Sequence, residues 1–417
     1  MKLALPTSLR PLLVLGALLS AAPASAQWAV QRPPASLYSL TDVHFLNASQ
    51  GFASASIGGF MKTADGGQTW QDLPTGVQSS LRDVFFVTPD TGYVVGNAGV
   101  IIRTTNGGQS WQRRDLLNTG ASVNGVYAHS GNRVLVTQGD RIFASTNGGS
   151  AWSPIYTYNG PLSIFTFRFL EFASPQVGYA VGGYSGSFGN VAQVVKTTDG
   201  GQTWQLLPSL SGSAPMGGAA AVAFPTPQTG YVADVQDRLF RSSDGGQTWS
   251  IVAHRTFGSF YSMHFTDALN GHGVGYDGNL RSTSDGGGTW TNQSLNSVDT
   301  YAAVYFPTPQ VGYAVGSDAG ARARVVKYNS PVSGTATGSQ PAIRVYPNPA
   351  SGLVKLAGLP TGQETRASLF STDGRQVLST RLAPGQADLR TTGLAAGLYL
   401  LQLESGGRSC QQKLAVE

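Results

Sequence analysis

The stretch Thr63-Ala64-Asp65-Gly66-Gly67-Gln68-Thr69-Trp70 returns five more times, at 104–111, 145–152, 197–204, 242–249 and 283–290. Each copy reads Ser/Thr, any residue, Asp/Asn, Gly-Gly, two residues, Trp. A Gly-Gly pair after Asp or Asn marks a tight turn, because glycine takes positive φ without steric cost and a short Asx side chain bonds back onto the backbone. Each copy is therefore a hairpin tip. The Ser/Thr ends one strand, and Trp70, Trp111, Trp152, Trp204, Trp249 or Trp290 begins the next, a ring large enough to pack between sheets. Asp65, Asp199, Asp244 and Asp285 invite a catalytic reading, but Asn106 and Asn147 hold the same place, and Asn cannot act as acid or base. These six side chains read as structural.

Between octads lies a second pattern: an apolar residue, any residue, an aromatic, and six residues later Gly. It stands at Val43/Phe45/Gly51, Val84/Phe86/Gly92, Leu170/Phe172/Gly178, Val222/Phe224/Gly230, Met263/Phe265/Gly271 and Val304/Phe306/Gly312. The third unit keeps Val126 and Tyr127 but lacks the glycine. Each unit thus reads as four short strands, with a period of about 41 to 45 residues in most units, the signature of a β-propeller blade. The seventh unit ends at Tyr328-Asn329 without an octad, while Trp28 precedes the first unit in register with the box tryptophans. The two defects complement each other. The expected fold is an all-β, seven-bladed propeller in which the strand at Trp28 completes the last blade and closes the ring.

Composition agrees with this architecture and limits function. Of 417 residues 12% are charged and 54 are glycine, which suits a turn-rich all-β chain. Residues 1–26 read as a secretory signal, with Lys2 and Arg10 before an apolar run and Ala24-Ser25-Ala26 at the cleavage site. No later stretch is long and apolar enough to span a bilayer. The formal net charge is +5, yet 17 Lys/Arg balance 17 Asp/Glu between Gln27 and Gln340, so the propeller offers no electrostatic footprint for nucleic acid. The single Cys410 excludes an intrachain disulfide and a Cys-cluster metal site. His44, His129, His254, His264 and His272 show no metal-ligand spacing, and no cofactor fingerprint stands in a matching context.

The octads resemble Asp-box (BNR) repeats, and with the Gly-Tyr-x-x-Gly strands residues 27–329 resemble the propeller family of the photosystem II assembly and stability factor. Sortilin-type receptors, sialidases and xyloglucanases share the box, so the resemblance specifies fold rather than function. Residues 330–341 read as a linker rich in Ser, Gly, Thr, Ala and Pro. Residues 342–417 read as a small β-sandwich. Its motifs Val345-Tyr346-Pro347-Asn348-Pro349-Ala350-Ser351-Gly352, Gly393-Leu394-Ala395-Ala396-Gly397-Leu398-Tyr399 and the terminal Lys413-Leu414 resemble the type A sorting domain of the type IX secretion system. That resemblance implies a Bacteroidota host, engagement of the translocon and sorting protease, and release or anchoring at the cell surface.

Two surfaces are candidates for recognition. The fourth unit is enlarged, with an insertion at 184–190 and long connections on either side. Its loops carry Tyr156, Tyr158, Phe165, Tyr184, Phe188 and Met216 with Asn159 and Asn190, types that suit a glycan or a peptide. The other is a basic ring: Lys62, Arg103, Lys196, Arg241 and Lys327 hold corresponding positions before the octad or its remnant, Arg281 is one residue off, and Ala144 breaks the series. Such stems can also pack between blades while their heads bond neighbouring turns. Glu171, the one glutamate in the propeller, has no partner carboxylate identifiable for glycosidase chemistry. The leading expectation is a monomeric, secreted or surface-displayed binding propeller. The alternatives are a glycan-cleaving hydrolase or lyase of sialidase or xyloglucanase type, and an assembly factor for a partner protein.

Overall fold

The computed structural model describes residues 27–31, 38–116, 120–160, 165–184, 191–208, 218–254, 260–293, 295, 298–330, 344–346, 350, 352–357, 359, 364–371, 376–405 and 408–416. The signal at 1–26, most of the linker, and Phe188, Asn190 and Met216 lie outside them, as do the side chains of Tyr184 and Cys410. The chain divides into two compact units, the first running through residue 332.

The first unit is an all-β propeller built of seven four-stranded antiparallel sheets. The first sheet shows the plan: Leu40–Phe45 is innermost, followed outward by Gly51–Ala55, Phe60–Thr63 and Gln71–Asp72. The seventh takes three strands from Thr300–Thr308, Val311–Ser317 and Ala323–Asn329, and its outermost from Gln27–Gln31, with Trp28 opposite Tyr328. The pairing expected of the strand at Trp28 is present.

One packing rule accounts for the repeat. The inner-strand aromatic of each sheet lies flat on a ring from the sheet before it and edge-on to its own box tryptophan, two geometries favoured by the ring quadrupole. Phe45 stacks on Tyr313 at 3.8 Å and meets Trp70 at 89°. Phe224 on Tyr179 with Trp249, and Phe265 on Tyr231 with Trp290, repeat it. In the seventh sheet Phe306 stacks on His272 at 4.0 Å and meets Trp28 at 88°, so Trp28 stands where the other sheets have their box tryptophan. The glycine six residues on is dictated by the same ring, since a Cβ on Gly51 would lie 2.3 Å from Phe45. In the third sheet Ala128 replaces the aromatic, and Val134 then fits where the glycine was.

Inside each box, Asp or Asn acts as a hydrogen-bond acceptor. Thr63 Oγ1 donates to Asp65 Oδ1, the Thr69 amide donates to the same oxygen at 2.9 Å, and Gly66 and Gly67 take φ of 70° and 79°. Asn106 Oδ1 accepts the equivalent bonds from Thr104 and Ser110. One amide oxygen suffices, which is why Asn substitutes freely. The Thr248 and Thr289 hydroxyls hold Asp244 and Asp285 ionised, with pKa values near 2.

The second unit has its own core of Val354, Leu356, Leu369, Leu401, Leu403 and Leu414. A three-stranded sheet (Arg344–Tyr346, Leu353–Ala357, Asp388–Arg390) accompanies a four-stranded one in the order Gln376–Leu382, Thr365–Ser371, Gly397–Ser405, Arg408–Val416.

Trp28 is 2% exposed. Trp28→Ala is expected to cost about 3–5 kcal/mol, as for other buried large-to-Ala changes, whereas Val30→Ala, at an exposed position of the same strand, should cost little. Denaturant midpoints compare the two; equal midpoints for Trp28→Ala and the parent would remove Trp28 from any closing role.

Candidate functional site

The basic series expected to form a ring is turned inward. Lys196 Nζ donates to the Gly245 carbonyl in the next sheet's box at 3.0 Å, and Lys327 Nζ donates to that of Gly66 at 2.9 Å. Arg103 donates to the Gly131 carbonyl at 2.9 Å. Each stem lies over the ring beside it in its own sheet: Lys62 over Phe52, Arg103 over Tyr93, Lys196 over Tyr179, Arg241 over Tyr231 and Lys327 over Tyr313. Tyrosine hydroxyls reinforce these bonds, Tyr313 donating to Ala48 and Gly66 and Tyr179 to Pro227. Where Ala144 interrupts the series, Arg133 supplies the missing cation and donates to the Gly200 carbonyl at 2.8 Å. Arg281 instead bonds Asn279. These cations clamp sheet to sheet.

The aromatics of the loops around the fourth sheet are likewise packed inward where they are described. Tyr158 stacks on Phe165 at 3.8 Å, and Phe165 meets Phe167 edge-on. At 8% and 6% exposure both belong to the core between the third and fourth sheets, not to an open recognition surface. Tyr156 is half-buried against Phe167, with its hydroxyl on Asn159. Tyr184, the first residue of the insertion expected at 184–190, ends the strand Gly178–Tyr184.

The prominent concavity is elsewhere, in the central channel. It has a volume of about 1140 Å³ and is lined by the inner strands. All seven inner strands carry a β-bulge at one position, the register shifting across Thr41, Arg82, Asn124, Arg168, Ala220, Tyr261 and Ala302. A bulge re-aims the extra side chain, and six of these seven residues line the channel. They sit toward the face of the second-to-third-strand turns, where Arg82 donates to Asn97 Oδ1 in such a turn and Gly139 and Gly183 also contribute. Burial, and then the charge of Arg168, push the Arg82 guanidinium pKa down. Among the described residues neither arginine is in an ion pair with a carboxylate.

Deeper, five rings follow one another around the wall: His264, Tyr305, His44, Phe85 and Tyr127, with successive centroids 5.2, 5.2, 4.7 and 4.9 Å apart. Glu171 takes the corresponding place in the fourth sheet and Ala223 in the fifth. Burial lowers the His44 and His264 pKa values to about 4, so both are neutral at pH 7. Three carboxyl groups brace neighbouring inner strands. Asp42 accepts from the Val84 amide at 3.0 Å, Asp83 from Val126 at 2.8 Å and Glu171 from Phe224 at 3.1 Å. Ser262 makes the same bond with Val304. Burial raises all three carboxyl pKa values, Glu171 to about 7. On top of burial, the charge and side-chain hydrogen bond of Asp42 raise Asp83 well above the ordinary carboxylate range. Burial, then the charges of Asp42 and Glu171, push Tyr305 up to about 12.

Comparison with known proteins agrees with this architecture. Residues 20–153 match the family described as photosynthesis system II assembly factor YCF48, and residues 344–417 match the secretion system C-terminal sorting domain. The chain is thus similar to YCF48 over about its first third, and its tail to a sorting domain. Its solved neighbours include YCF48 bound to D1 peptide (19% identity, 73% of this chain and 96% of that one, TM-score 0.58) and YCF48 from Cyanidioschyzon merolae (19%, 73% and 99%, 0.58). The Niastella koreensis GH74 enzyme is similar at 14% identity over 90% of this chain and 66% of that one, with TM-score 0.50. At these identities the likeness is one of fold. No curated protein matches the chain. The match to a sorting domain points to the type IX machinery and to secretion or the outer-membrane surface. No helix among the described residues is long and apolar enough to cross a membrane.

Sequence reasoning missed the channel mouth. The signal was available: two residues before the apolar member of the second pattern, the seven units read Thr, Arg, Asn, Arg, Ala, Tyr, Ala, a variable position inside an otherwise regular strand.

Two predictions follow from the brace and the clamp. Glu171 has a folded pKa above its unfolded value, so its neutral form favours folding below about pH 4, and that contribution disappears as pH rises through about 7. The parent should lose stability between pH 5 and 8, by at most ~1.4 kcal/mol per pH unit from this group, and Glu171→Gln should flatten that slope in unfolding curves taken across the range. Lys196→Met should lower stability by ~1–3 kcal/mol, because the Gly245 carbonyl loses its charged donor, as read from the denaturant midpoint.

Proposed function

We propose that the propeller is a binding module, released or displayed at the cell surface, that takes a carboxylate-bearing segment of another protein at the channel mouth. The observation that carries this reading is the neighbouring pair Arg82 and Arg168, two guanidinium groups with no carboxylate partner among the described residues. Guanidinium pairs a carboxylate through two parallel hydrogen bonds, and a second guanidinium beside the first raises the local attraction for an anion. Asn124 shares the mouth between them in chain order, its amide donating to the Phe167 carbonyl, and Tyr261 adds an exposed ring. The fourth-unit face thus keeps a part in recognition through Arg168 and Thr166 rather than through its loop aromatics. That a similar fold, YCF48, has been solved with a D1 peptide supports a peptide as the ligand class. This reading joins the binding scaffold to the assembly-factor alternative.

Glycan cleavage draws no support from the channel carboxylates. Each is committed to a neighbouring amide, and Ser262, which cannot serve as an acid, does the same work in the sixth sheet. We read 27–329 as the recognition unit, 330–341 as the connection, and 342–417 as the segment that engages the translocon and sorting protease.

Extracellular peptides arrayed with free or amidated C-termini test the proposal. Binding should favour free carboxylates, weaken as salt rises, and fall at least about tenfold in Arg82→Ala and Arg168→Ala, a loss of about 1.4 kcal/mol each. Undiminished binding by both variants would place the site elsewhere.

A further inference from the structure

The junction between the sixth and seventh sheets departs from the repeat in a way that leaves a pocket. At other junctions the next sheet's box hairpin sits against the tyrosine and cation of the sheet before it, as Gly66 does against Tyr313 and Lys327 and Gly286 against Tyr231 and Arg241. The seventh sheet has no box. Its third strand ends at Asn329, the Ser330 amide bonds the Gln310 carbonyl, and its fourth strand is Gln27–Gln31. Both clamp residues change at the same place: His272 stands where other sheets carry Tyr93, Tyr179, Tyr231 and Tyr313, and Ser282 where they carry Arg103, Lys196, Arg241 and Lys327. A cavity of about 290 Å³ lies there, lined among others by Thr266, Asn270, His272, Ser282, Thr291 and Tyr328.

His272 is 6% exposed, its ring is held flat on Phe306, and its Nδ1 has no hydrogen-bond partner. A buried polar atom left unpaired is costly, so a ligand that satisfies it gains that difference on binding. Burial and then the neighbouring His264 keep the imidazole neutral, with a pKa near 3. Ser282 Oγ accepts from Gln293 at 2.8 Å, which leaves its proton to donate. Among the described residues no Lys or Arg lines the cavity to compensate an anion; Asp267 already accepts from the Leu269 and Asn270 amides. The remaining wall is hydroxyl and amide, with the Tyr328 ring and Pro309 as its apolar edge. The volume is at the small end of ligand pockets, room for one ring rather than a chain.

We propose that this slot binds a single neutral sugar residue, His272 Nδ1 and the Ser282 hydroxyl bonding its hydroxyl groups. The site is separate from the channel mouth. Saturation-transfer NMR and calorimetry on the secreted chain would use millimolar D-glucose, D-galactose, D-mannose and N-acetyl-D-glucosamine. At least one should bind saturably. His272→Phe, which puts in the residue that the first sheet carries as Phe52 and keeps the stack on Phe306, should weaken it at least about tenfold, as should Ser282→Lys, which restores the cation of the other sheets. Melting curves of both variants should stay at or above the parent's, and Arg82→Ala should bind the sugar like the parent, which separates this site from the peptide reading. No binding by any of the four sugars, or undiminished binding by both slot variants, overturns the proposal.

Discussion

The hold of one sheet on the box turn of the next, made through a glycine carbonyl at Gly66, Gly200 and Gly245, is the contact on which the rest of the propeller depends. The turn is made rigid first from within, by an Asp or Asn oxygen that gathers a hydroxyl and an amide. Its outward-facing carbonyl is then a fixed acceptor, and a lysine ammonium with a tyrosine hydroxyl reaches across to it. The partly desolvated cation, lying over an aromatic face, is stabilised twice. Where Ala144 removes the usual donor, Arg133 arrives from a different strand at Gly200. Conservation of the contact, with a change in which residue makes it, is a physical sign that the junction needs it. It also explains how a chain with 12% charged residues uses its lysines and arginines: several of them work inside the structure rather than at a polyanion.

The inner strands obey a different economy. Their packed positions are filled by the aromatic and aliphatic repeat, whereas the bulged residue stands outside that packing and in six of the seven strands lines the channel. Freed from the repeat, this position differs from sheet to sheet and can carry chemistry, and Arg82 and Arg168 occupy it. Below it, the carboxyl groups of Asp42, Asp83 and Glu171 are spent on amides of the next inner strand, and burial raises their pKa values. The channel is thus anion-attracting at its mouth and braced, with neutral histidines, in its depth.

The second unit answers to neither rule. It has its own apolar core and matches the secretion system C-terminal sorting domain across 344–417. Its identity says where the propeller goes and nothing about what the propeller holds.

Local chemistry determined much of this from the sequence alone. Asx-Gly-Gly dictates a turn wherever it stands, the glycine after each aromatic is required by the ring above it, and the 42-residue offset between Trp28 and Trp70 puts Trp28 in a box position. The tail was legible for the same reason, since its motifs are short and contiguous. Tertiary structure decided the rest because it depends on direction. Lys196 and Lys327 look like a surface ring in sequence, but their Nζ atoms bond the next sheet's box. Tyr158 and Phe165 look like a recognition surface, but stack on each other within the core. Arg82 and Arg168 are 86 positions apart in sequence, and only the arrangement of bulged inner strands brings one guanidinium within the field of the other.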